Sequence, residues 1–211
     1  FVIALIEGEI MRVMLLFYLS PLWTVILGRL WLKETLSKQA ILFFIFAMIG
    51  SVIMLWHPEL GLPWPQSIAD ILALIAGIAF ATNNVVARKL HAVDMRMKTA
   101  ATWWGAVLVA TVVIVTQQLP IPDASWSTWA GAWLLGWFGM VLMTIAVLYG
   151  LARMPVYRSS VIMLFELIVA AIAAWLLTDE VMTQREWIGG VLILLSAYGV
   201  ARIPVVLSKA K

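Results

Sequence analysis

The stretch VIMLFELIVAAIAAWLLTDE, residues 161–180, is an apolar run of twenty residues with one carboxylate, Glu166, set inside it. A bilayer core of ~30 Å needs about 20 residues of α-helix to cross it, so the run reads as a membrane span. The rest of the chain agrees. Of 211 residues, 64% are hydrophobic and 12% charged, about half the charged share typical of soluble domains. Twelve tryptophans suit a chain that meets the membrane interface repeatedly. No cysteine is present, which excludes disulfides and cysteine-bound metals. The net charge of +3 does not point to nucleic acid, because the charges fall in short connections between apolar spans.

Seven segments have the length and composition of spans: 10–32, 40–56, 68–90, 99–119, 127–150, 156–178 and 186–206. FVIALI, residues 1–6, reads as the tail of a helix whose beginning lies outside this sequence; no basic region marks it as a signal peptide. Irregular backbone in lipid leaves peptide groups unpaired. The spans are therefore expected to be helices, with connections such as HPELGLPWPQ (57–66) and QQLPIPDASWS (117–127) outside the hydrocarbon.

Basic residues give the orientation. Arg29, Lys33 and Lys38 surround the first connection, Arg88, Lys89, Arg96 and Lys98 the third, Arg153 and Arg158 the fifth, and Arg202, Lys209 and Lys211 the tail. Only Arg12 and Arg185 fall on the other side. The positive-inside rule makes the basic connections and the C-terminus cytoplasmic. Trp56, Trp64, Trp126, Trp129, Trp175 and Trp187 then lie at the outer boundary, and Trp31, Trp103 and Trp104 near the inner one. His57 and His91 fall on opposite sides and cannot form a joint metal site.

Sliding the chain by 146 residues lays LFYLSPLWTVILGRLWLKETLSKQ approximately over MLFELIVAAIAAWLLTDEVMTQRE. Ser20 then meets Glu166, Glu34 meets Glu180, Ser37 meets Thr183 and Arg12 meets Arg158. Few identities recur, but an order does: an arginine, an apolar span with a polar interruption, a glutamate, then a hydroxyl residue opening the next helix. Thr183 with Glu186 forms a capping-box pattern. Five helices separate matching points, and an odd number reverses orientation, as in the inverted repeats of many secondary transporters.

LSPLWTVILGRLWLKETLSKQAILFFIFAMIGSVI (19–53) and FELIVAAIAAWLLTDEVMTQREWIGGVLILLSAYGV (165–200) resemble the closing two helices of each half of the drug/metabolite transporter superfamily, EamA-like branch. The resemblance implies an all-α polytopic membrane protein: a bundle of ten helices in two inverted five-helix halves, moving small metabolites such as amino acids, often outward. Residues 1–56 are then the end of the first repeat, 57–67 an external loop, 68–206 the whole second repeat and 207–211 a cytoplasmic tail. The first two helices and most of the third lie outside this sequence. Two departures stand out. Leu167 follows Glu166 where family members commonly have proline, and Lys33-Glu34 and Asp179-Glu180 replace the usual Gly-Glu.

Glu166 lies about 12 Å along the helix from Arg158, deep in the span. An ionised group there costs several kcal/mol unless paired or hydrated. It is a candidate proton-coupling group or counter-ion for a substrate ammonium; the competing role is a hydrogen bond to a neighbouring helix. Asn83 and Asn84 are candidates for substrate carboxylate or amide groups, against helix-to-helix bonding worth ~1 kcal/mol. One of two adjacent helical residues must face away from any single partner. Trp126, Trp129, Trp133 and Trp137 form a helical stripe, a possible aromatic wall for apolar or cationic substrates, against anchoring at the interface and in lipid. Ala69, Ala73, Gly77 and Ala81 make a close-packing ladder. Pro21 interrupts its span and can free carbonyls toward a cavity. Tyr18 and Tyr149 are further cavity candidates, and Glu7 and Glu9 read as a solvated pair.

The expected function is a secondary transporter of small organic metabolites in a bacterial inner membrane, with protons as a candidate coupling ion and membrane lipid and a small-molecule substrate as partners. No cofactor is expected. A non-transporting scaffold, or a fragment needing a partner, is the second class. An intramembrane enzyme needs clustered acids, histidines or a nucleophile with a base, which the sequence does not offer. A carrier of phosphate esters needs mid-span lysine or arginine, and none is present.

Overall fold

The computed structural model describes residues 1–56, 64–118, 120, 122–177 and 182–204, and every regular element among them is helical. The elements are α1 (Val2–Glu7), α2 (Ile10–Phe17), α3 (Ser20–Trp31), α4 (Lys38–Leu55), α5 (Ile68–Lys89), α6 (Met95–Gln117), α7 (Trp126–Leu134), a π-helical turn (Leu135–Met140), α8 (Val141–Arg153), α9 (Val156–Met163), α10 (Phe165–Leu177) and α11 (Gln184–Arg202). Six helical segments are long and apolar enough to cross a membrane, three of them interrupted: Ile10–Trp31, Trp126–Arg153 and Val156–Leu177. The seventh expected span, 186–206, forms as α11 but is not among the six. Its first turn holds Gln184, Arg185 and Glu186, and its body holds Gly189, Gly190, Ser196 and Gly199. It ends at Arg202 because Pro204 holds Ile203 in extended backbone (ψ 127°). His57, Asp179, Glu180 and the tail 207–211 lie outside the described residues.

The chain packs as two compact units, Phe1–Val86 with Met154–Lys211 and, separately, Ala87–Arg153.

In the first unit, α4 and α11 form an unbroken antiparallel pair: Gly189 lies under Met54, and Gly199 under Phe43. A Cβ built on Gly189 falls 2.5 Å from the Gly50 carbonyl oxygen, and one on Gly50 falls 2.8 Å from that of Gly189. Only residues without side chains allow backbones this close. Both helices open on a hydroxyl cap. Ser37 Oγ accepts from Ala40 N at 3.1 Å, and Thr183 with Glu186 forms the expected capping box. The cap satisfies an amide that the first helical turn cannot.

A second pair, α2–α3 and α9–α10, is broken. Between α2 and α3 the helix lapses at Tyr18 and Leu19. Pro21 has no N–H, so the Phe17 carbonyl loses its i+4 donor. Gly77 of α5 comes close enough that a Cβ there would sit 3.0 Å from that carbonyl oxygen. Ala69, Ala73 and Ala81 are buried beside it, as the ladder predicts. Between α9 and α10 the lapse is at Leu164, without a proline, and Leu167 N bonds Leu164 O at 3.1 Å, one residue tighter than an α-helical bond. Tyr18 and Leu164 are separated by the same offset that aligns the two sequences.

The pair is also tied end to end. Glu34 Oε2 accepts from Val156 N at 2.9 Å, so a carboxylate that follows α3 caps α9. Gly28 makes room for Val156, whose Cγ2 would lie 2.2 Å from a Cβ at that position. Lys33 turns the chain between them with φ 55°, a left-handed conformation. Leu15, Tyr18, Phe44, Val161, Leu164 and Ile193 meet in one buried cluster joining α2, α4, α9 and α11. At the far end Ser67 and Asp70 cap α5 reciprocally. Asp70, almost fully buried, also accepts from Gln66 N and lies 3.9 Å from Arg12. Arg12 bonds Gln66 and Glu9 besides, so it is held within a network.

In the second unit, Arg88 donates to the Ala152 carbonyl. Asp94 caps α6 and Ser125 caps α7. Among the described residues of α6, only Lys98 is buried, and none of α7 is. Helices apolar around their circumference belong in lipid or in a larger bundle. The π-turn after Leu134 interrupts the 3.6-residue period on which the tryptophan stripe rests.

Candidate functional site

Three of the expected site residues gather around the two helix breaks of the first unit. Glu166 is in the first turn of α10, where the helix dipole favours a negative charge. It is exposed, and among the described residues no hydrogen bond or ion pair holds it. Tyr18 lies at the other break and is 8% exposed. Its ring meets Phe17 edge-on at 5.6 Å, and Phe17 in turn meets Phe80 of α5 at 5.6 Å.

Asn84 is 2% exposed and approaches the Met163 sulfur at 3.6 Å, one residue before the second break. Its Oδ1 is buried without a partner. Asn83, one residue on and so turned about 100° around α5, is exposed. The adjacent asparagines therefore serve different surroundings. Pro21 is buried; what it contributes is the Phe17 carbonyl it frees, and that carbonyl faces Gly77 of α5. The reason is steric, since α5 presents its glycine at the point where the broken helix exposes its backbone.

The remaining two candidates belong to the second unit. Tyr149 is half exposed, with the Arg153 guanidinium 3.4 Å from its ring centroid, one helical turn away. Trp137 lies within the π-turn and is exposed, as are Trp126, Trp129 and Trp133. Among the described residues no three histidine, cysteine, aspartate or glutamate side chains cluster to hold a metal.

Phe17, Phe80 and Met163 were not legible as site residues, because aromatic and thioether side chains in apolar runs carry no distinguishing pattern. Two structural roles were legible in principle. SIAD at 67–70 is a capping-box pattern, and a glutamate closing a span is positioned to cap a neighbour.

A solved crystal structure, titled only as that of a protein, superposes on the chain with a TM-score of 0.75 at 18% identity, covering 94% of this chain and 68% of its own. Likeness at that identity speaks for the fold alone. Among curated proteins none matches. The model of the EamA-like transporter family matches residues 1–56 and 67–202. With six apolar helical spans and a family match over nearly its whole length, this multi-pass helical membrane protein belongs to the EamA-like transporter family.

Proposed function

We propose that the chain is a secondary active transporter that moves small organic metabolites carrying an ammonium group, such as amino acids, outward across a bacterial inner membrane, with its C-terminus in the cytoplasm. The observation that carries this reading is Glu166, exposed and unpaired at the start of a discontinuous helix, one helical turn past Met163, against which Asn84 packs. Discontinuous helices of this kind place charged groups and free backbone at transport sites. The carboxylate offers a counter-charge to an ammonium, the aromatic row offers π-faces for a cation, and the unpartnered Asn84 Oδ1 offers an acceptor.

Substrate and proton then compete for the same group. Protonation of Glu166 from one side releases the cation, and loss of that proton on the other side restores the site. Alternating access between inverted repeats is supported by the matching breaks at Tyr18 and Leu164, the antiparallel α4 and α11, and the equivalent caps Ser37 and Thr183. The test is transport by the full-length protein in proteoliposomes under an imposed pH gradient, with Glu166→Gln as the variant. Coupled flux in the wild type and its loss in the variant supports the reading. Unchanged proton-coupled flux in the variant removes Glu166 from the mechanism.

A further inference from the structure

Away from Glu166, α4 and α11 enclose a groove of about 780 Å³ between the first turns of α4 and the last turns of α11. Its body is apolar, lined by Phe43, Phe46 and Leu195, and Leu195 is 60% exposed toward the surroundings. Its mouth is polar and cationic. Gln39 and Arg202 both line it there, and no acidic side chain lines any part of it. Arg202 makes no ion pair among the described residues, and its guanidinium is held over the Tyr198 ring, 4.6 Å from the centroid. The amides of the first turn of α4 point the same way, toward the positive end of the helix dipole.

One polar group sits deeper. Ser196 lines the groove, 1% exposed, with its hydroxyl buried and without a hydrogen-bond partner. It lies about 9 Å along α11 from Arg202. From the mouth inward the groove thus offers an anion seat and then an apolar channel. A phospholipid presents phosphate and acyl chain in the same order.

We propose that this groove binds an anionic phospholipid from the leaflet that the basic connections face. Arg202 and Gln39 hold the phosphate, and one acyl chain lies along Phe43, Phe46 and Leu195. Basic pockets between helices are known sites for anionic headgroups, and one cation near the surface is worth about a fivefold preference.

The experiment is native mass spectrometry of the full-length protein in neutral detergent. It is titrated with dioleoyl phosphatidylglycerol, with dioleoyl phosphatidylcholine, and with glycerol 3-phosphate as a headgroup without chains. The wild type is expected to retain phosphatidylglycerol about fivefold over phosphatidylcholine and to ignore glycerol 3-phosphate. Arg202→Ala brings the two lipids to parity, whereas Arg202→Lys keeps the preference. Leu195→Trp, placed on an exposed side chain so that folding is not at issue, fills the channel and lowers retention of both lipids. Equal retention by the wild type, a preference that survives Arg202→Ala, tight binding of glycerol 3-phosphate alone, or a dimer that buries this face and excludes lipid would each overturn the proposal.

Discussion

Two helix pairs in the first unit are built to opposite rules. The pair α4 and α11 is unbroken, capped at both starts and pressed together at Gly50 and Gly189 until backbone meets backbone. The pair α2–α3 and α9–α10 is interrupted in the middle of each span, and the polar groups of the first unit's candidate site stand at or just beside the interruptions. Lipid offers no hydrophobic drive for helices to associate, so close packing must hold a framework together. Where backbone hydrogen bonding lapses instead, the freed groups can face another helix, as at Phe17, or leave a carboxylate open, as at Glu166. The contrast predicts that the two pairs fail differently: one by losing stability, the other by losing activity while remaining folded.

The largest expected effect separates them at once. Glu166→Gln lowers pH-driven transport by about 100-fold or more, the scale of losing a group that transfers protons. Its melting transition in detergent stays within about 0.5 kcal/mol, because the side chain is exposed. A large drop in stability without loss of coupling would reverse the contrast. Gly189→Leu is the counterpart in the framework. Its Cβ meets the Gly50 carbonyl oxygen at 2.5 Å and Met54 N at 3.2 Å, both backbone atoms that cannot rotate away. Overpacking of this kind costs about 3 kcal/mol, read as a lowered melting transition. Gly105→Ala is its control. Nothing lies within 4 Å of a Cβ there, and alanine in a helix is favoured over glycine by about 1 kcal/mol, so that variant should melt higher.

Smaller effects sharpen the link between the broken spans. Glu34→Ala removes the carboxylate that caps α9 through Val156 N and is expected to cost about 1 kcal/mol, the usual worth of a helix cap. Hydrogen exchange should rise in the first turn of α9 and not in α4, whose cap is Ser37. Exchange rising equally in both would mean that Glu34 acts through general destabilisation. Lys33→Gly runs the other way. At φ 55° a side chain is disfavoured, and glycine there should gain about 1 kcal/mol in the same melting assay. At this turn glycine suits the left-handed position, and glutamate supplies the cap.

Much of this was written in the sequence. The positions of the spans followed from transfer of apolar side chains to lipid, and the cap at Thr183, the packing ladder on α5 and the interruption at Pro21 followed from local chemistry. The interruption at Leu164 had no proline to announce it, and the π-turn at Leu135–Met140 broke a stripe that regular helical spacing had made look continuous. Glu34 was visible as a recurring residue, but its partner stands 122 positions away. Glu166 was conspicuous from the start, whereas its exposure was not.

The sequence by itself determined which segments are helical and apolar enough to enter a membrane, because that depends on each segment's own side chains and backbone. Only the tertiary structure decided which helices pair, which carbonyl meets which glycine and which carboxylate stays open. In lipid the outer faces of helices are alike in polarity, and small residues mark where an approach is allowed without naming the helix that makes it.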